Sequence, residues 1–468
     1  MVRAESIAAI SVTRRNCLES SSSIISSPVA DWSSGRRSGA GYAAEPGHGT
    51  TAPVLGASKS VAVKGLPRPA RVRTFRFRGL TVVQEPLPGS LTAIALHVRA
   101  GARFDGAIPG LAHMAEHMLF QGTDEMDQLA LNRRAAELGG SHNATTGYES
   151  IALTIESFNG DVDAAIALLM DQFYRSRVEP RRFRKECRVV LDEIRGFRDD
   201  PLDHLHERGW GTFFGAPIGH PICGTVGSVR AMEPSDVTGF LRRRFVNANA
   251  VLAVVGGVSE EALRAALARH VSKDRVGRPA RVLGARRGRG GRLRLPGSDR
   301  GQSFVVRFLE VDPAPANLLA LGVALDLVGA DPDSTLFQAV RELHGLGYEV
   351  SAELEWGSGW GAAVLSASAG PGRADRLARI IDEVLQRSAE EGFAAADLAR
   401  ARKKRRFGYE LLRERRLDRA LARADSAATG FPSIEDSERI VAGLDDESIH
   451  AAWRRAVAGR TLVAALGD

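Results

Sequence analysis

The stretch GLAHMAEHMLF, from Gly110 to Phe120, places two histidines four residues apart with a glutamate directly before the second. Only 11 histidines occur in 468 residues, so abundance does not explain the pairing. On a helix, residues i and i+4 share a face, so His113 and His117 can turn two imidazoles toward one ion. Glu116 stands beside them, near enough to move a proton on a ligand of that ion without binding the ion itself. The order H-x-x-E-H is thus a candidate for a divalent metal that activates water for hydrolysis. The bland reading is two core or surface histidines on an amphipathic helix.

Two imidazoles do not complete a hydrolytic zinc site, which usually takes three protein ligands and keeps one position open. A carboxylate from another helix is the expected third ligand, and FRKECRVVLDEIRGF supplies candidates. Its apolar stripe runs through Phe183, Cys187, Val190, Ile194 and Phe197 at helical spacing. Glu193 borders that stripe, and Glu186 lies two turns earlier on almost the same line. Inward carboxylates are costly unless a cation or hydrogen bonds compensate them. On geometry alone, these two pair equally well with nearby arginines such as Arg182 or Arg188.

The elements that must carry these residues are readable from periodicity. Alternation in TFRFRGLTVVQE and LTAIALHVRAG predicts strands joined at PLPGS. A helix over Leu111–Phe120 follows Pro109-Gly110, and MDQLALNRRAAELG predicts another. YESIALTIES reads as a strand, then DVDAAIALLMDQFYR and PRRFRKECRVVLDEIRGFRD as helices, the latter with Pro180 in its first turn. SDVTGFLRRRFV and AVLAVVGGV close this unit near residue 270. Residues 271–298 are rich in Arg, Gly and Pro and read as a linker. Beyond it a strand (SFVVRFLEV), a helix (NLLALGVALDLVG) and a terminal strand (TLVAALG) loosely repeat the order. The fold class expected is α+β: two similar α/β-sandwich domains, each a mostly antiparallel sheet flanked by helices. Residues 1–68 are Ser/Gly/Pro/Ala-rich without apolar periodicity and read as a disordered tail, and a poor secretory signal. The domains are then 69–270 and 299–468.

Composition narrows the function classes. Hydrophobic residues at 44% and charged residues at 25% are the balance of a globular protein. No apolar run approaches the ~20 residues that span a bilayer. The net charge of +7 raises a nucleic-acid reading, but six of the 63 basic residues are lysine and 57 are arginines spread along the whole chain. The denser patches, Arg286–Arg294 and Ala399–Arg416, read as a Gly-rich connector and a helix with a solvated face. The first has no interleaved aromatics and the second is the solvated face of a helix, so no nucleic-acid partner is expected. Cys17, Cys187 and Cys223 form no C-x-x-C motif.

GLAHMAEHMLFQGT, then AAELGGSHNATTGYESIALTI, then ECRVVLDEI together resemble the pitrilysin/insulinase family of zinc peptidases. HPICGTVGSVRAMEPSDVTGFLRRRFVNANAVLAVVGGV is similar to the rest of the family's first domain. The likeness spans roughly residues 70–468 and is to the short two-domain type, similar to mitochondrial processing peptidase subunits and their bacterial relatives. It implies one zinc ion per chain on His113, His117 and Glu193, the last lying 76 residues beyond His117. It implies Glu116 as general base and Glu186 as an acidic residue supporting the site from behind. STLFQAVRELHGLGYEVSAELEW resembles the family segment whose arginine and tyrosine reach the substrate, here Arg341 and Tyr348. Without the resemblance, Arg341 reads as a helix-surface charge and Tyr348 as a strand residue. SHNATTGYE matches the edge strand to which a peptide adds, making Asn143 and Ala144 candidate contacts; His142 reads as incidental. The expected activity is zinc-dependent endoproteolysis of short or unfolded peptides in a closed chamber, by a homodimer or a heterodimer with a homologous subunit. A bacterial cytoplasmic location is expected. The competing expectation is a non-catalytic or partner-dependent subunit of a processing peptidase.

Overall fold

The structure, a computed structural model, describes residues 71–467 apart from 140, 141, 283, 297–300, 330 and 348. The tail expected over residues 1–68 and the candidate Tyr348 lie outside the described residues. No helix among the described residues is long and apolar enough to cross a membrane.

Two mixed sheets flanked by helices make up the fold. The first contains β1 (Arg73–Phe77), β2 (Leu80–Pro86), β3 (Leu91–Val98), β4 (His142–Thr146), β5 (Ile151–Phe158) and β6 (Ala250–Gly256), in the order β1-β2-β6-β3-β5-β4. The second contains β7 (Gly291–Leu295), β8 (Ser303–Glu310), β9 (Val350–Gly357), β10 (Trp360–Ala369) and β11 (Thr461–Leu466), in the order β7-β11-β8-β10-β9. Each sheet has one parallel pair, β2–β6 and β7–β11, and is otherwise antiparallel. The orders superimpose strand for strand once β1 is set aside: β2 corresponds to β7, β6 to β11, β3 to β8, β5 to β10 and β4 to β9. The loose repeat visible in the sequence is thus a repeat of topology. β7 falls inside the Arg/Gly-rich stretch read as a linker, whose alternating Arg292, Leu293, Arg294 and Leu295 supply a strand pattern.

Five helices of the first half matter for the site: α1 (Leu111–Leu119), α2 (Gln128–Glu137), α3 (Val162–Arg175), α4 (Pro180–Asp199) and α5 (Pro201–Phe213). α3 packs against β3 and β5, while α1 contacts α4, β4 and the helix Pro234–Arg244. In the second half, Pro315–Val328 is apolar nearly all round and buried, with no histidine among its residues.

The halves exchange helices. α5 belongs by sequence to the first half but packs on β8 and β11. Its Leu205, Trp210 and Phe213 join Val306, Phe308 and Ala464 in one apolar cluster. Reciprocally, Arg416–Thr429 lies on β3 and β6, where Ala420 and Ala424 meet Ala93, Ala95, Val251 and Ala253. Small residues on both sides let this helix approach the sheet closely. The basic helix, Ala395–Glu414, does not present only a solvated face, because Arg405 is buried. It bonds both Asp326 oxygens and the Gly322 carbonyl, which compensates its charge.

Candidate metal centre

α1 is held at its start by a backbone device. Gly110 takes a left-handed conformation at φ 91°, and a Cβ there would lie 2.7 Å from the Cys223 carbonyl oxygen. No residue but glycine fits both constraints. With no side chain at the N-cap, the capping acceptor comes from outside the helix. Asp105 receives Gly110 N–H at 2.7 Å and Ala112 N–H at 2.8 Å. Met114 and Met118 anchor the helix in the first core, which turns His113, Glu116 and His117 toward α4 and β4.

On that side the imidazole rings of His113 and His117 lie 4.6 Å apart, centroid to centroid. α4 supplies Glu193, whose Oε2 is 3.7 Å from His113 Nε2 and 3.6 Å from His117 Nε2. Nitrogen and carboxylate donors of the three residues lie within 4.8 Å of one another. These separations are too long for hydrogen bonds. Both ring nitrogens of His113, His117 Nε2 and Glu193 Oε2 are buried without a hydrogen-bond partner. Such atoms are costly to bury unsatisfied, and a divalent cation among them would satisfy three residues at once. The donor set, two imidazoles and a carboxylate, is one that zinc accepts.

Glu186 takes a different place. Its Oε2 lies 3.0 Å from His117 Nδ1, so a proton on Nδ1 fixes the ring and leaves the Nε2 lone pair toward Glu193 and His113. The two glutamates of α4, seven residues apart, thus address the two nitrogens of one imidazole. The alternative of pairing with arginines is not what the fold does: Arg182 bonds Gln128 and reaches Glu179. Electrostatics follow from burial. Burial, helped by the charge of His117, holds His113 well below the usual histidine range. Burial also pushes His117 down, but Glu186 and then Glu193 outweigh it and raise the ring to about 10 in the absence of an ion.

Glu116 is 3% exposed, and burial pushes its carboxyl up against the opposing charge of His117. Its Oε2 accepts a hydrogen bond from Thr146 Oγ at the end of β4. Thr146 is a site residue that the sequence reading passed over; the signal was its place two residues after Ala144, on the same face of a strand. β4 is an edge strand, paired on one side with β5. Asn143 is exposed, whereas Ala144 is 1% exposed, so Ala144 can meet a ligand through its backbone but not its methyl group. His142 binds Gln172 Oε1 at 2.8 Å and lies against Phe120, apart from the three converging donors. Arg341 is in the second half, on a π-helical turn Gln338–Leu343, pairing with Glu342 and lying over the Phe337 ring.

Residues 81–222 match the family profile described as Insulinase (Peptidase family M16), and residues 231–405 match Peptidase M16 inactive domain. The chain is 32% identical over 347 residues to an uncharacterized zinc protease of Mycobacterium leprae, covering 72% of this chain and 78% of that one. It is 30% identical over 406 residues to an uncharacterized zinc protease of Mycobacterium tuberculosis, covering 84% and 92%. A shorter stretch, 39% of this chain and 35% of the other, is 31% identical to an Arabidopsis thaliana protein named probable mitochondrial-processing peptidase subunit beta. Among solved structures, a protease from Helicobacter pylori shares the fold with TM-score 0.80 at 17% identity, covering 86% of this chain and 100% of that one. On these similarities, the chain belongs to the insulinase family of peptidases, M16.

Proposed function

We propose that this chain is a zinc metalloendopeptidase that hydrolyses short or unfolded peptides. The observation that carries the reading is the convergence of three buried donors, one each from His113, His117 and Glu193, beside the buried carboxylate of Glu116. His113, His117 and Glu193 would hold one zinc ion per chain, and Glu186 would keep the His117 ring in the tautomer that binds. When bound, zinc supplies Lewis acidity and brings the pKa of a water from ~15.7 toward ~7. Glu116 then receives a proton on its carboxylate and returns it to the leaving amine; a raised pKa suits a group that must do both near neutral pH.

The substrate would add to the free edge of β4 through main-chain hydrogen bonds, which leaves sequence specificity loose. Asn143 would meet it with its side chain and Ala144 with its backbone. Arg341 and Tyr348 would approach from a second half, closing a chamber in a homodimer or a heterodimer with a homologous subunit. A bacterial cytoplasmic location accords with bacterial relatives. The complete set of metal donors and base argues against a purely structural subunit.

Zinc analysis of the purified protein, coupled to digestion of a peptide library with and without a chelator, tests the reading. About one zinc per chain and chelator-sensitive cleavage are expected. A metal-free chain, or cleavage indifferent to chelation, would overturn it. Sizing the active species distinguishes a self-sufficient homodimer from a partner-dependent chain.

A further inference from the structure

We propose that Thr146 is a positioning residue that couples the peptide-docking strand to the general base. The proposal rests on the functional reading above and adds a group outside the metal and base set. Three observations carry it. First, Thr146 Oγ donates to Glu116 Oε2, and both side chains are 3% exposed. Bulk water is thus excluded from replacing the hydroxyl, and a buried carboxylate oxygen deprived of its donor is costly. Second, Thr146 is the last residue of β4, and its backbone is fixed by pairing with Ile151 in β5. Third, no strand among the described residues pairs with the opposite edge of β4.

A peptide added to that edge is therefore one strand away from the residue that orients the base. The hydroxyl points inward to α1, while the free edge lies in the plane of the sheet, so docking and orientation use different directions of the same strand. Threonine suits this position. Its β-branched side chain is restricted to few rotamers in a strand, so the hydroxyl is aimed without further support. Glu116, by contrast, ends a side chain with three rotatable bonds, and its Oε2 needs a fixed donor to stay in one place. Threonine thus orients Glu116 toward the space between the three converging donors and the docked strand. A general base misplaced by ~1 Å can lose ~10²-fold in rate while the substrate still binds.

Two substitutions in the full-length protein separate this role from a merely structural one. Thr146→Val keeps shape and β-branching but removes the donor; Thr146→Ser keeps the donor and loses a methyl group. With a fluorogenic peptide, Thr146→Val is expected to lower kcat by ~10²-fold while leaving KM and zinc content near wild type. Thr146→Ser is expected to restore most of kcat. A valine variant with unchanged kcat, or a serine variant as impaired as the valine one, would overturn the proposal. A second readout does not depend on turnover. In crystals of the metal-free proteins, the Glu116 carboxylate should leave its wild-type position in Thr146→Val and keep it in Thr146→Ser. An unmoved Glu116 in the valine variant would overturn the positioning role even if the protein proved to have no peptidase activity, and a displaced one would support it in that same case.

Discussion

Glu116 and Glu186 are both buried glutamates within reach of the same histidine, yet they should fail in different ways when altered. Glu116→Gln keeps a hydrogen-bond acceptor for Thr146 but cannot take up a proton. Zinc content should be unchanged and peptide hydrolysis should fall by ~10²-fold or more, the contribution of a general base. Metal analysis beside a rate measurement checks this, and normal turnover would remove Glu116 from the role. Glu186→Ala removes the acceptor of His117 Nδ1 at 3.0 Å. The ring then loses its fixed tautomer, and zinc affinity should fall ~10- to 100-fold, as for other groups that orient a metal-binding histidine. A competition titration with a chelator of known affinity reads it directly. That His113, Glu116 and His117 form a unit was legible because all three sit within five residues on one helix. Glu193 and Glu186 were legible as inward carboxylates, but not in their division of labour. Which nitrogen each one meets depends on how α4 crosses α1, and spacing along a single helix carries no such information.

At the scale of elements, α1 has a start that depends on a residue outside it. Gly110 offers no capping side chain, so Asp105 accepts the Gly110 and Ala112 N–H groups. Asp105→Ala leaves both donors buried without an acceptor and should cost ~1–2 kcal/mol, the usual loss of a helix cap. Because this helix carries His113 and His117, the same variant should release zinc faster than wild type. Thermal denaturation and metal release measure the two effects; stability unchanged from wild type would show that another group replaces the carboxylate. The sequence announced the helix, since Pro109-Gly110 and the apolar spacing are local signals. It did not announce the cap, which comes from a short turn five residues upstream. Thr146 was hidden for a related reason: a hydroxyl in a strand is unremarkable until the helix that faces it is known. β7 was hidden differently, because glycines and arginines around Arg292–Leu295 mask a pattern of only four alternating residues.

The whole molecule is tied together by the exchanged helices, and an acid-sensitive ion network lies there. Arg416–Thr429 carries Ala420 and Ala424 on one buried face, and nothing local in the chain says that the sheet they cover belongs to the other half. In the fold, Arg419 and Arg423 of this helix meet Glu85 of β2, with side-chain exposures of 9%, 4% and 2%. Glu435 completes the network by pairing with Arg423 at 2.6 Å. Removing the central carboxylate, as in Glu85→Gln, would leave two arginines buried with too few acceptors. Breaking such a buried pair costs ~3–5 kcal/mol. The loss should appear as a lower urea midpoint, while Glu435→Gln, at the more exposed end, should cost less. The pH dependence follows from the same charges. Burial pushes Glu85 and Glu435 up, but the hydrogen bonds and charge of the arginines outweigh it, holding Glu85 below its ordinary 4.5 and Glu435 at about 2. A carboxyl whose folded pKa is depressed stabilises the fold above its unfolded value and loses that contribution as pH falls through the folded one. The network should therefore support the fold fully above pH 4.5 and fail progressively toward pH 2. Chemical denaturation across that window should show wild-type stability declining more steeply than that of Glu85→Gln, which has already lost its share. Parallel slopes in the two proteins would mean that acid acts elsewhere than on the Glu85 network.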